Sequence, residues 1–204
     1  LPLSVEFSKK YPVVGYDLNI KRIKELNEGY DRTGEIGFSD LKKLKTLKIS
    51  SNKKSIENAN VYIVTVPTPV DKNNIPNLNP LKNASEMIGS FLKKNDIVIY
   101  ESTVYPGATE EICVPILEME SHLKYNRDFF CGYSPERINP GDKKNKLTSI
   151  KKVTSGSNKK TAKFIQNLYK TIIKAGVYPA SSIAVAEAAK VIENTQRDVN
   201  IALI

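Results

Sequence analysis

Val61-Tyr62-Ile63-Val64-Thr65-Val66-Pro67-Thr68-Pro69 reads as a buried strand halted by a pair of prolines. An unbroken run of β-branched and aromatic residues suits a strand covered on both faces, and proline cannot continue its ladder. Similar short apolar runs lie on either side, at 13–17, 97–100, 128–133 and 150–154, with lesser candidates at 47–49 and 176–178. Helical stretches separate them, at 2–10, 20–28, 40–45, 80–93, 107–120 and 158–174. Asn19 is placed to cap the second helix and Gly29 to end it. Strands alternating with helices predict βαβ units and a mostly parallel, doubly wound sheet. Ligands of such sheets sit beyond the carboxyl ends of the strands. Here those ends read Tyr16-Asp17, Val66-Pro67-Thr68-Pro69, Glu101-Ser102-Thr103 and Ser134-Pro135-Glu136, a polar rim stiffened by proline.

Composition narrows the function classes. The chain has 204 residues, 40% of them hydrophobic, enough for one or two domains with a core. Its net charge of +9, from 31 Lys+Arg against 22 Asp+Glu, suits a polyanion or an anionic small molecule. The lysines are dispersed in pairs such as Lys9-Lys10, Lys93-Lys94 and Lys159-Lys160, and no Arg/aromatic cluster accompanies them. A basic nucleic-acid module, which would bind with a steep salt dependence, is therefore the weaker class. Two cysteines, Cys113 and Cys131, and one histidine, His122, give neither a disulfide framework nor metal spacing, and the cysteines read as core residues of a reduced, cytoplasmic protein. No apolar run is long enough to cross a membrane.

The stretch after Pro179 has no Gly or Pro and is rich in alanine, so it predicts one long helix capped by Ser181 or Ser182. At about 100° per residue, Glu187, Lys190, Asn194 and Arg197 share one stripe. Ala184, Ala188, Val191, Ile192, Val199 and Leu203 lie on another face, which predicts burial on more than one side. The stripe is either a solvated salt-bridge face or a catalytic wall carrying a cation and an amide. Asp17 closes the strand after the first helix, where a Rossmann-type fold holds the adenosine ribose and an acid favours NAD over NADP. It serves equally as a cap for the next helix. Arg22 reads as a contact to the adenosine end or as a surface cation. Pro67 and Thr68 would press a rigid backbone against the dinucleotide, or simply stop the strand. Ser102 and Thr103, with Gly107 opening a helix, offer donors to a nicotinamide or substrate, or cap that helix. Glu136 is a candidate general base and Arg137 a cation for a diphosphate, or the two form a local ion pair.

Taken in order, these segments resemble the nucleotide-sugar 6-dehydrogenases, the UDP-glucose/GDP-mannose dehydrogenase family. The carrying motifs are Val13-Val14-Gly15-Tyr16-Asp17, Thr65-Val66-Pro67-Thr68-Pro69, Tyr100-Glu101-Ser102-Thr103-Val104-Tyr105-Pro106-Gly107, Ser134-Pro135-Glu136-Arg137-Ile138-Asn139-Pro140-Gly141 and the helix from Glu187 to Asn200. Ser-Pro-Glu-Arg at 134–137 is similar to the branch acting on UDP-N-acetylhexosamines in surface-polysaccharide pathways. The resemblance implies NAD as cofactor, with Asp17, Arg22, Pro67, Thr68 and Thr103 around it. It implies that Glu136 activates water, that Arg137, Ile138 and Arg197 bind substrate, and that Lys190 and Asn194 flank the reacting carbon. The implied reaction oxidises the C6 alcohol of a UDP-N-acetylhexosamine to the uronate in two hydride transfers to NAD⁺, through a cysteine thiohemiacetal and thioester.

That family's glycine-rich turn and its nucleophilic cysteine match no residue of this sequence. Leu1-Pro2-Leu3 is no initiator sequence and Asn200 to Ile204 stops inside a helical pattern. The expectation is a Rossmann-like sheet truncated at both ends, with an NAD-binding domain at 1–179 and the start of a connector helix at 180–204. On that reading the chain alone is inactive, and the full-length protein is a homodimer. The competing enzyme class is a β-hydroxyacid or 6-phosphogluconate-type dehydrogenase, which makes a single hydride transfer and needs no cysteine.

Overall fold

A computed structural model describes residues 1–43, 46–136 and 147–203. Among these residues seven strands are interspersed with helices: α1 (Pro2–Ser8), β1 (Val13–Tyr16), α2 (Ile20–Asn27), α3 (Phe38–Lys43), β2 (Leu47–Ser50), β3 (Val61–Val64), α4 (Asn79–Gly89) and β4 (Ile97–Tyr100) form the first part. There follow α5 (Val114–Ser121), β5 (Phe130–Tyr133), β6 (Lys152–Thr154), α6 (Lys159–Lys170), β7 (Val177–Pro179) and α7 (Ile183–Ala202). β1 pairs with β2, β4 lies between β3 and β5, and β6 pairs with β7, every pair parallel. The expected α/β, doubly wound, parallel architecture is therefore present. β1 and β3 do not pair with each other, yet Val13, Val61 and Ile63 pack on one shared cluster.

β4 shows why the sheet needs two layers of helix. All four of its residues are buried, and successive side chains of a strand point to opposite faces. Val98 and Tyr100 enter a cluster with Leu81 and Ile88 of α4 and Leu117 of α5. Ile97 and Ile99 enter another with Phe7 of α1 and Ile165 and Tyr169 of α6. Local signals set the helix starts. Asn19, Asn158 and Ser182 accept from the backbone N–H groups of Arg22, Thr161 and Val185, so each fills the N-cap role its residue type suits. Gly29, at φ 90°, turns the chain out of α2 in the left-handed region that favours glycine.

Three features depart from the sequence expectation. The helix opened by Gly107 starts with a π-helical turn, Thr109–Cys113, before α5. The predicted helix over 80–93 ends at Gly89. The apolar face of α7 is not buried on several sides: Ile192, Val199 and Leu203 are 66%, 51% and 79% exposed. Only the first turns of α7 enter the core, through Ile183 and Ala186. Alanine density predicts a helix but not a neighbour for it.

Close packing between α6 and the strands leaves no room at Gly156, where an added Cβ would lie 2.4 Å from the Ala162 backbone nitrogen and 2.7 Å from its Cα. Because those atoms are backbone, they cannot rotate away. Gly156→Ala is expected to destabilise the fold by about 1–3 kcal/mol, the usual cost of overpacking, measured by the midpoint of urea unfolding.

Candidate functional site

The carboxyl ends of β3, β4 and β5 are laced together by hydrogen bonds from side chains and backbone. Ser102 donates its hydroxyl to the Val66 carbonyl at 2.7 Å, and Thr68 donates to the Thr103 carbonyl at 2.7 Å. Tyr133 donates its hydroxyl to the Ser102 carbonyl at 3.0 Å, and Ser134 donates to the Val153 carbonyl at 2.7 Å. Thr68 and Thr103, predicted separately, thus meet across the rim. Thr103 and Pro67 are exposed there and Thr68 half-buried. Two prolines and a cross-rim bond hold this backbone for a ligand without much ordering on binding.

Beneath the rim lies a charged network that sequence reading did not find. Lys152 Nζ donates to Glu101 Oε2 at 2.7 Å and to the Pro135 carbonyl at 3.1 Å. Both side chains are almost fully covered, 3% exposed for Lys152 and 1% for Glu101. Tyr169 donates its hydroxyl to the other Glu101 oxygen. Burial, and then the Glu101 charge, pushes the Tyr169 phenol well above its ordinary value, and Glu136 adds in the same direction. Glu136 is half-buried and within electrostatic reach of this network. The turn that carries it begins at the carbonyl Lys152 grips.

Helix α7 docks on the same rim through Glu187. This carboxylate is wholly buried and accepts from the backbone N–H groups of Gly107 at 2.6 Å and Thr109 at 3.0 Å. A carboxylate at the start of a helix satisfies N–H groups that have no partner within it and lies at the favourable end of its dipole. Lys190, Asn194 and Arg197 continue along this side of α7 and are half-buried, while Val191 and Ile192 beside them are exposed. Arg197 donates to Glu193 at 3.5 Å. Arg137 and Ile138 lie outside the described residues.

At the far end of the rim, Asp17 is exposed and its Oδ1 accepts from the Asn19 N–H at 2.8 Å. Asn19, not Asp17, fills the N-cap of α2, so the carboxylate braces the cap residue and does not cap the helix itself. Arg22 is no loose surface cation: Nη2 pairs with Asp31 Oδ1 at 2.5 Å. Its Nη1 is buried without a hydrogen-bond partner among the described residues. An exposed acid just after β1 and a guanidinium nitrogen without a partner in the first turn of α2 fit the adenosine end of a dinucleotide. A cavity of about 450 Å³ between the starts of α6 and α7, lined by Asn158, Lys159, Lys163 and Ser182, includes none of the predicted site residues. Cys113 and Cys131 are buried, and burial raises both thiols, Cys113 to about 11, which suits core packing and not nucleophilic attack.

The fold and rim define a dinucleotide-binding domain of a dehydrogenase. Residues 1–173 match the UDP-glucose/GDP-mannose dehydrogenase family, NAD binding domain. Over all 204 residues the chain is 61% identical to a UDP-N-acetyl-D-glucosamine 6-dehydrogenase of Pseudomonas aeruginosa and 57% to one of Salmonella typhi, covering 48% of each. The solved UDP-D-ManNAc dehydrogenase of Pyrococcus horikoshii superposes with a TM-score of 0.91 at 32% identity, over 99% of this chain and 49% of that one. The chain belongs to the UDP-glucose/GDP-mannose dehydrogenase family and forms its NAD-binding domain; it spans about half the length of the curated relatives it matches. Among the described residues no helix is long and apolar enough to cross a membrane and no acid, cysteine and histidine cluster could hold a metal ion.

Two outcomes follow from the buried groups. Removing one partner of a covered ion pair leaves the other uncompensated, so Lys152→Ala is expected to cost about 3–5 kcal/mol in chemical denaturation. Lys152→Met combined with Glu101→Gln should recover a large part of that loss. Asp31 gives a pH dependence. Burial alone would raise its carboxyl, but bonds from Arg22, Thr33 and the Ile36 N–H bring it down from 3.8 to about 2. A carboxylate depressed by folding stabilises the fold fully above its unfolded value and loses that stabilisation as pH falls through its folded value. About 2 kcal/mol should therefore disappear between about pH 4 and pH 2, and Asp31→Asn should flatten that limb of the acid-unfolding curve.

Proposed function

We propose that this domain serves a full-length, cytoplasmic enzyme that oxidises the C6 alcohol of a UDP-N-acetylhexosamine to the uronate, with NAD⁺ as hydride acceptor. The observation that carries the reading is the docking of α7. Glu187 fixes the helix to the loop after β4, the loop that presents Thr103, and Lys190 and Asn194 follow on the same side. The relatives at 61% and 57% identity, both UDP-N-acetyl-D-glucosamine 6-dehydrogenases, support the substrate class.

On this reading Asp17 and Arg22 hold the adenosine end, and Pro67, Thr68 and Thr103 hold the backbone against the rest of the cofactor. Arg137, Ile138 and Arg197 bind the nucleotide sugar, which positions C6 by remote binding energy. The Lys190 ammonium and the Asn194 amide N–H stabilise negative charge on the substrate C6 oxygen, as the donors of an oxyanion hole do. Glu136 takes a proton from the water that attacks the C6 carbonyl of the cysteine thioester, and the thiol leaves as the uronate forms. The reading divides the chain into the cofactor domain at 1–179 and the root of a connector helix at 180–204. The exposed apolar side of that helix supports a homodimer of the full-length protein, with this side covered.

Purified full-length protein, given UDP-N-acetylglucosamine or UDP-N-acetylgalactosamine and NAD⁺, should form two NADH per sugar. One NADH per sugar would place it with the single-transfer dehydrogenases, and no NADH with either sugar would remove the substrate assignment. Lys190→Ala should lower kcat by about 100-fold or more.

A further inference from the structure

We infer that Asp31 sets the dinucleotide preference of the domain, as a positioning residue that keeps the Arg22 guanidinium charge-paired and so denies it to a 2′-phosphate. The inference rests on the NAD-binding reading of the rim and adds to it a residue outside the β1–α2 connection. Arg22 stands in the first turn of α2, five residues beyond Asp17. An arginine near the acid that meets the ribose is how dinucleotide domains accommodate a 2′-phosphate, and its planar fork of donors matches phosphate oxygens. By residue type and place alone, Arg22 would favour NADP.

The structure removes that option through a carboxylate nine residues away. The Asp31 side chain has no exposed surface and binds Arg22 Nη2 through Oδ1. It cannot swing aside, because its own loop grips it. Oδ1 also accepts from the Thr33 N–H at 3.1 Å and the Thr33 hydroxyl at 2.7 Å, and Oδ2 accepts from the Glu35 and Ile36 N–H groups, each at 3.0 Å. Five donors on one carboxylate make a fixed counter-ion. Arg22 Nη1 has no hydrogen-bond partner among the described residues, which suits a neutral acceptor such as a hydroxyl. Asp17, Asp31 and Arg22 together carry two negative charges and one positive, so a doubly charged phosphate meets net repulsion while a ribose diol does not.

The test compares NAD⁺ and NADP⁺ affinities by isothermal titration in the full-length protein, with thermal unfolding to confirm that each variant is folded. Asp31→Asn is expected to cut the preference for NAD⁺ by about five- to tenfold, chiefly through tighter NADP⁺ binding, the scale of one partly covered charge contact. Adding Arg22→Ala should abolish the NADP⁺ gain. Asp31→Ser, which keeps an acceptor oxygen for the loop N–H groups, provides the same comparison if the asparagine variant does not fold. Equal weakening of both dinucleotides would assign Asp31 a purely structural role and overturn the inference, as would an NADP⁺ gain that survives Arg22→Ala. A parent protein that binds neither dinucleotide would instead overturn the NAD reading, and this inference with it.

Discussion

A lysine and a glutamate sealed inside the protein, Lys152 and Glu101, join the parts on which the rim depends. Glu101 follows the central strand β4, Lys152 opens β6, Tyr169 comes from α6 and the Pro135 carbonyl from the end of β5. Coulomb attraction inside a protein scarcely exceeds the cost of taking both ions out of water, so the pair is not there to raise stability by much. Its effect is geometric. Each oxygen of Glu101 has a donor, and the ammonium has two acceptors, one of them the Pro135 backbone carbonyl. Any slip of one strand against another would strand a charge in an apolar interior, which disfavours other registers more than it favours this one.

Glu187 does for the long helix what Lys152 does for the sheet. Its carboxylate takes the N–H of Thr109, the first residue of the π-helical turn, and that of Gly107 two residues before it. The start of one helix is thus held by a side chain of another, which ties the end of the loop after β4 to α7.

Much of this was legible in the order of residues. The strands at 61–64 and 97–100 announce themselves because double burial removes polar residues from them, and Asn19, Asn158 and Ser182 mark helix starts by a purely local bond. Thr68 and Thr103 could be placed at the rim because strand ends in a parallel sheet share one side. What escaped were pairings between distant segments. Glu101 and Lys152 are 51 residues apart, and nothing in the periodicity around Lys152 says that a lysine in a short strand points inward. Asp31 sits in a polar loop that reads as solvent-exposed, and its value as a counter-ion appears only once Arg22 is seen to lean away from water. The exposed side of α7 was misread for a related reason: composition reports what a helix could bury, while burial depends on what stands beside it.

The anchoring of α7 at its first turns has a mechanical side. From Glu187 to Ala202 the helix runs 15 residues, roughly 22 Å at the α-helical rise. A rod fixed near one end converts a small rotation at the pivot into a large sweep at the tip: a 10° tilt would carry Ala202 by about 4 Å but Lys190 by less than about 1 Å. The residues nearest the pivot therefore move least in any tilt of the helix. Lys190, one turn from the buried Glu187 carboxylate, is therefore the part of the stripe whose position depends least on the tilt of the helix.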